Sequence, residues 1–254
     1  MKKKVLITGA SSGIGYALAN RFSVEGYDLI LTGRRKNRLE ELGRLLHETN
    51  GTEVKILVFD VRNHDEVKEQ LESLPEDWKA IDILINNAGL AKGLSTIDKG
   101  DTEHWDQMID TNIKGLLYVT RTVSPWMVAA GKGHIINISS IAGKEVYPNG
   151  NVYCASKFAV DALSRAIRID LHTKGIRVSQ ISPGAVEETE FALVRFDGDV
   201  ERAKIYNDFQ PLKASDVADA VYYMASCPPH VNIQDITILA TQQASAAIID
   251  RSGR

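Results

Sequence analysis

The feature that most constrains the fold is a regular alternation of short apolar runs rich in β-branched residues with longer stretches of helical periodicity. The short runs fall at 5–7, 27–31, 54–59, 81–85, 135–138, 176–181 and 233–239. Helical patterns lie between them at 15–25, 38–49, 64–74, 102–130, 152–174 and 215–225. In the second of these, Leu39, Leu42, Leu45 and Leu46 share one face. Residues 81–85 are almost continuously apolar, as a strand covered on both faces requires. Parallel neighbours need long crossovers, so the pattern predicts an α/β fold. The expected architecture is a single doubly wound parallel sheet of about seven strands, with helices on both faces, over residues 1–254. Residues 183–212 lack clear periodicity, and a loop that long inside one domain reads as a mobile substrate loop at about 185–212.

Charge and composition narrow the class. The 254 residues carry 30 Lys and Arg against 33 Asp and Glu, a formal charge of -3, which supplies no positive field for nucleic acid or an anionic membrane. The opening Met1-Lys2-Lys3-Lys4 is basic, but the apolar stretch after it stops at Ile7, short of the roughly 7–15 residues of an export signal. No run approaches the ~18 apolar residues of a spanning helix. Two cysteines, Cys154 and Cys227, make no disulfide framework, and the six histidines show no metal-ligand spacing. The expectation is a cytoplasmic, soluble protein without metal, acting on a small molecule.

The first run leads directly into Thr8-Gly9-Ala10-Ser11-Ser12-Gly13-Ile14-Gly15. Glycines at a strand–helix junction allow a tight turn and leave backbone N–H groups free to meet a pyrophosphate. The spacing differs from the usual Gly-x-Gly-x-x-Gly, and the same residues could form an ordinary turn; the position at the first junction favours a dinucleotide. The second strand ends Leu31-Thr32-Gly33-Arg34-Arg35, with no carboxylate to accept from a ribose 2′-hydroxyl. Guanidinium groups there suit a 2′-phosphate, so the predicted cofactor is NADP(H), bound through Arg34 and Arg35. Asp60, at the end of the third strand, either accepts from the adenine amino group or caps the next helix, with Val61 beside it.

Tyr153 and Lys157 stand four residues apart on a predicted helix and hence on one face. An ammonium beside a phenol favours phenolate, so Tyr153 can exchange a proton with an alcohol or carbonyl oxygen near neutral pH. The pair follows Ser139-Ser140 at the end of the fifth strand, on the sheet edge that carries the glycine loop.

Together these residues resemble the short-chain dehydrogenase/reductase family along the whole chain. The matching motifs are Thr8-Gly9-x3-Gly13-x-Gly15, Asn86-Asn87-Ala88-Gly89, Asn112, Ser140, Tyr153-x3-Lys157 and Pro183-Gly184. The resemblance implies Tyr153 as general acid/base, Lys157 as the group that lowers its pKa and holds the nicotinamide ribose, and Ser140 as the polariser of the substrate oxygen. It implies Asn112 as support for a proton-relay water. Asn87, Ala88 and Gly89 would wall the cofactor ribose; Pro183, Gly184, Val186 and Thr189 would lie along the nicotinamide side. The second half is similar to the NADP-dependent 3-hydroxy acid dehydrogenases, which include serine 3-dehydrogenases and allo-threonine dehydrogenases. That likeness rests on Gly150-Asn151-Val152-Tyr153, on 188–191 continuing to Val194-Arg195-Phe196, and on 230–233 leading to Thr241-Gln242. It implies hydride transfer at C3 of a small 3-hydroxy acid, and a tail that in this family often contributes to a homotetramer. The substrate carboxylate needs a partner: Arg195 either fills that role or pairs with Glu187, Glu188 or Glu190. Lys144-Glu145 departs from the more apolar sequence of several relatives and leaves the substrate open. Reduction of a 3-oxoacyl, sugar or diketone substrate is the alternative on the same scaffold, and a non-catalytic NADP(H) sensor is a third reading.

Overall fold

Side-chain alternation within the strands divides the interior into two apolar layers. In the computed structural model, which describes residues 2–203 and 208–252, β1 (Lys4–Ile7) turns Val5 and Ile7 to one face and Leu6 to the other. The same split recurs in β2 (Asp28–Gly33) and β4 (Ile83–Asn86). With β3 (Val54–Val58), β5 (Gly133–Ile138), β6 (Ile176–Pro183) and β7 (Asp235–Ile238) they form one seven-stranded sheet in the order β3-β2-β1-β4-β5-β6-β7. Every neighbouring pair is parallel. The order reverses between β1 and β4, and open α/β sheets bind ligands at the carboxyl ends of the strands beside such a switch.

One face is covered by α1 (Gly13–Val24) and α2 (Lys36–Asn50), and by a C-terminal helix that inserts Val217, Val221 and Met224. On α2 the buried stripe is Leu39, Leu42 and Leu46, while Leu45 stands 39% exposed. The narrower face follows from the helical period, because position 45 lies about 120° away from 39 and about 100° from 46. The opposite face receives α3 (His64–Glu72), then, after α4 (Thr102–Ile109), α5 (Leu116–Ala130) and α6 (Asn151–Leu171).

The expected 102–130 helix carries a π-helical turn at Asp110–Gly115, between α4 and α5. Gly115 makes that close packing feasible: a Cβ there would sit 2.7 Å from Val61 Cγ2. The aperiodic 183–212 stretch contains two short helices, α7 (Phe191–Arg195) and α8 (Val200–Ala203), before α9 (Ala214–Ser226). The part of the expected loop at 204–207 lies outside the described residues. Among the described residues no helix is long and apolar enough to cross a membrane, and no group of three or more His, Cys, Asp or Glu is arranged around a metal position.

Candidate active site

A cavity of about 470 Å³ runs along the carboxyl ends of the strands, from Arg34 and Asp60 at one end to Tyr153 and Arg195 at the other. Its floor is the glycine turn locked to the β4 terminus. Thr8 Oγ1 accepts from the backbone N–H groups of Asn87 and Ala88 at 3.0 and 2.9 Å, and Asn87 Nδ2 donates to the Thr8 carbonyl at 2.8 Å. Asn87 is therefore more than a strand terminator, since it ties two crossover loops together. Gly9 has φ +67°, and a Cβ on Gly15 would lie 2.3 Å from the Gly9 carbonyl oxygen, so the turn tolerates no larger residue there. The Ser12 side chain does not cap α1, which leaves the first turn at Gly13 and Ile14 facing the cavity.

At the wide end Arg34 is exposed, with its guanidinium 3.7 Å from Asp60. Asp60 does not cap α3, because Asn63 does so by accepting from Asp65 and Glu66 N–H. The Asp60 carboxylate is instead gripped by Arg62, at 2.7 Å from Nη2. Burial alone would raise its pKa, but the Arg62 hydrogen bonds overcome this and hold it below the ordinary value. Arg35 spans three partners: Ser11 Oγ at 2.9 Å, Ser12 Oγ at 2.7 Å and Glu190 Oε2 at 2.6 Å. Arg38 reaches the other Glu190 oxygen. Burial opposes ionisation of Glu190, yet hydrogen bonds from Arg38 and Arg35 hold its carboxyl at about 2.

At the narrow end α6 presents Tyr153 and Lys157 on one face, with Lys157 Nζ 5.9 Å from the Tyr153 ring centre. Lys157 is buried and donates to the Ile138 carbonyl at 3.0 Å. Burial pushes its ammonium down to about 8. Ser140, which ends the β5 segment, accepts from Ala142 N–H at 3.1 Å and lies against the Pro183 carbonyl. Asn112 stands behind the cavity wall. Its amide clamps Leu90 through both backbone groups at 2.9 Å and donates to Ser156 Oγ at 3.0 Å. Ser156 in turn donates to the Tyr153 carbonyl at 2.8 Å. The π-helical turn thus braces α6.

Arg195 is 6% exposed. Its guanidinium carbon lies 5.8 Å from the Tyr153 ring centre and 5.5 Å from that of Tyr147. It donates to Tyr147 Oη at 3.0 Å and to the Gly93 carbonyl at 3.2 Å. Among the described residues no glutamate forms an ion pair with it: Glu190 is held by Arg35 and Arg38, and Glu188 faces Lys213 at 3.8 Å. Burial pushes the Tyr147 hydroxyl up, against the lowering effect of Arg195.

All the sequence-predicted residues line this cavity except Gly15, which supports the turn from below, and Asn112. Tyr147, Arg38, Glu190 and Gln243, which lines the cavity and accepts from Ala185 N–H at 2.8 Å, were not singled out from sequence as site residues. Tyr147 had a local signal in Gly150, where a Cβ would strike the tyrosine ring at 2.3 Å; the other three arrive by long-range packing. Lys144 points away from the cavity, onto Asp161 and Asp235, and Glu145 accepts from Ala246 N–H. The departure at 144–145 therefore has structural partners: Lys144 ties α6 to β7, and Glu145 holds Ala246, which lines the cavity.

This geometry defines a dinucleotide-type crevice ending in a Ser–Tyr–Lys group. The family model for short chain dehydrogenase matches residues 3–197, and the chain belongs to that family. It is 46% identical over 245 residues to the NADP-dependent 3-hydroxy acid dehydrogenase YdfG of Escherichia coli K12, covering 96% of this chain and 97% of that one. It is 44% identical to sulfoacetaldehyde reductase 2 of Chromohalobacter salexigens over 99% and 100% of the two chains. The closed form of a serine dehydrogenase complexed with NADP+ superposes with a TM-score of 0.91 at 44% identity, over 97% of this chain and 98% of that one.

Proposed function

We propose that this protein is an NADP-dependent dehydrogenase that oxidises small 3-hydroxy acids reversibly at C3. The observation that carries the substrate class is Arg195, a buried guanidinium with no carboxylate partner among the described residues, seated over the Tyr153 ring. A buried charge without a counter-ion is costly, and an anionic substrate supplies the missing partner in two parallel hydrogen bonds. A neutral sugar or diketone would leave that charge uncompensated.

The residues present suit an NADP-type cofactor. The uncapped first turn of α1 would receive the pyrophosphate, Arg34 and Arg35 with Ser11 and Ser12 would hold the adenosine end, and Lys157 would hold the ribose of the nicotinamide. When bound, the cofactor supplies the hydride acceptor. Tyr153, as phenolate, takes the proton of the C3 hydroxyl, and Lys157 stabilises that phenolate. Ser140 Oγ–H donates to the substrate oxygen as it becomes a carbonyl. Arg195 would hold the carboxylate and so orient C3 beside Tyr153. Asn112 acts through Ser156 and Leu90 as a positioning residue. The reading extends to a cytoplasmic homotetramer, in keeping with two unpaired thiols and an open β7 sheet edge.

A second reading is supported by the relative named sulfoacetaldehyde reductase 2, since a sulfonate is also an anion with oxygens that can accept from both arms of Arg195. Measuring NADPH formation with L-serine, L-allo-threonine, 3-hydroxyisobutyrate and 3-hydroxypropionate, each repeated with NAD+, tests the proposal. Turnover of any of them with strong NADP+ preference is the expected result. Reaction only with sulfonated aldehydes or neutral carbonyls would overturn the substrate assignment.

A further inference from the structure

The carboxylate of Glu190 bridges two guanidiniums, accepting from Arg35 Nη1 at 2.6 Å and Arg38 Nη1 at 2.5 Å. The rest of the Arg35 fork is turned to the hydroxyls of Ser11 and Ser12. Two arginines meet on one carboxylate, and two serine hydroxyls stand against Arg35 itself; guanidiniums with hydroxyls beside them are the donor types of a phosphate site. Ser11, Ser12, Arg35 and Glu190 all line the cavity, beside Arg34. Resting on the reading of Arg34 and Arg35 as ligands of the cofactor 2′-phosphate, we infer that Glu190 occupies the phosphate's seat and competes with it.

The competition follows from the count of charges and donors. Glu190 holds one N–H from each arginine, and a phosphate taking those donors would bring a second anion against the carboxylate. The carboxyl stays ionised at any working pH, since the two arginines hold it at about 2. Binding of the 2′-phosphate therefore frees Glu190, whereas a dinucleotide without that phosphate leaves it in place. Freeing it matters at the other end of the cavity because Glu190 directly precedes α7. Phe191 meets the Tyr153 ring edge-on with centres 5.7 Å apart, and Arg195 ends the same helix over that ring. Glu190 is thus a specificity-determining residue that lowers the advantage of NADP(H) over NAD(H). It also links cofactor identity to the position of the two side chains that flank the catalytic tyrosine.

Calorimetric titration of the full chain with adenosine 2′,5′-bisphosphate and with 5′-AMP isolates the 2′-phosphate without turnover. Glu190→Gln is expected to bind the bisphosphate about tenfold tighter, as expected for removing one opposed charge at a half-exposed site, with 5′-AMP unchanged. Limited proteolysis within 187–199 is expected to accelerate on adding the bisphosphate to the wild type. In Glu190→Gln cleavage is already fast and indifferent to it. Unchanged or weaker bisphosphate binding in Glu190→Gln overturns the competition. A wild type that binds bisphosphate and 5′-AMP equally would instead overturn the underlying assignment of the arginines, and the inference with it.

Discussion

Replacing Arg195 by Gln tests the substrate assignment at its most exposed point. The side chain is 6% exposed, so its charge acts in a poorly screened environment. A hydrogen bond to a charged group contributes about 1.5–3 kcal/mol. Loss of a two-pronged contact to the substrate carboxylate then removes about 3–4 kcal/mol, a fall of roughly 10²–10³-fold in kcat/KM. Two structural partners, the Gly93 carbonyl and the Tyr147 hydroxyl, also lose a donor, which lowers unfolding stability by about 1–3 kcal/mol. The assay is NADP+ reduction with a 3-hydroxy acid and, in parallel, with a neutral alcohol of the same carbon skeleton. The acid is expected to lose nearly all its rate and the neutral alcohol little, with Arg195→Lys recovering only part because an ammonium lacks the planar fork. An equal loss for both substrates would show that Arg195 acts through the adjacent Tyr153 ring, and the carboxylate role would fall.

Three further outcomes are expected. The folded-state pKa of Lys157, about 8, lies below its ordinary 10.5, so the cost of its burial is fully present below pH 8 and relieved as pH rises toward 10.5. Lys157→Met should therefore abolish turnover yet raise neutral-pH stability by up to roughly 3 kcal/mol, and denaturant unfolding that shows no gain, or a pH slope unchanged between 8 and 10, contradicts this. Gly15→Ala forces a Cβ to within 2.3 Å of the Gly9 carbonyl; it should cost about 1–3 kcal/mol in thermal unfolding and weaken NADP+ binding, and a silent substitution would refute the close approach. Lys144→Met removes the shared partner of Asp161 and Asp235 and should lower the melting temperature while leaving KM for the 3-hydroxy acid unchanged, whereas a raised KM would return this residue to the substrate site.

The strand–helix alternation, the glycine turn, the Tyr153–Lys157 pair and the basic end of β2 were all legible in the linear sequence. Each depends on local spacing: a period of two for strands, of 3.6 for helices, and four residues to bring two side chains onto one helical face. The choice between open alternatives was not local. Whether Arg195 meets a loop glutamate or stays unpaired depended on Arg35 and Arg38, from the start of α2, claiming Glu190 across the crevice. Whether Asp60 caps a helix depended on Asn63 taking that role. The reason for a charged Lys144, where several relatives are more apolar, emerged only with β7, which packs beside β6 and supplies Asp235 as its partner. Ion pairs form between groups that the crossovers bring within a few ångströms, and sequence distance says nothing of that proximity. The sequence by itself determined the sheet, the cofactor crevice and the placing of Tyr153 and Lys157 on one helical face; only the tertiary structure decided which charged side chains pair with one another, because those pairs join residues far apart in the chain.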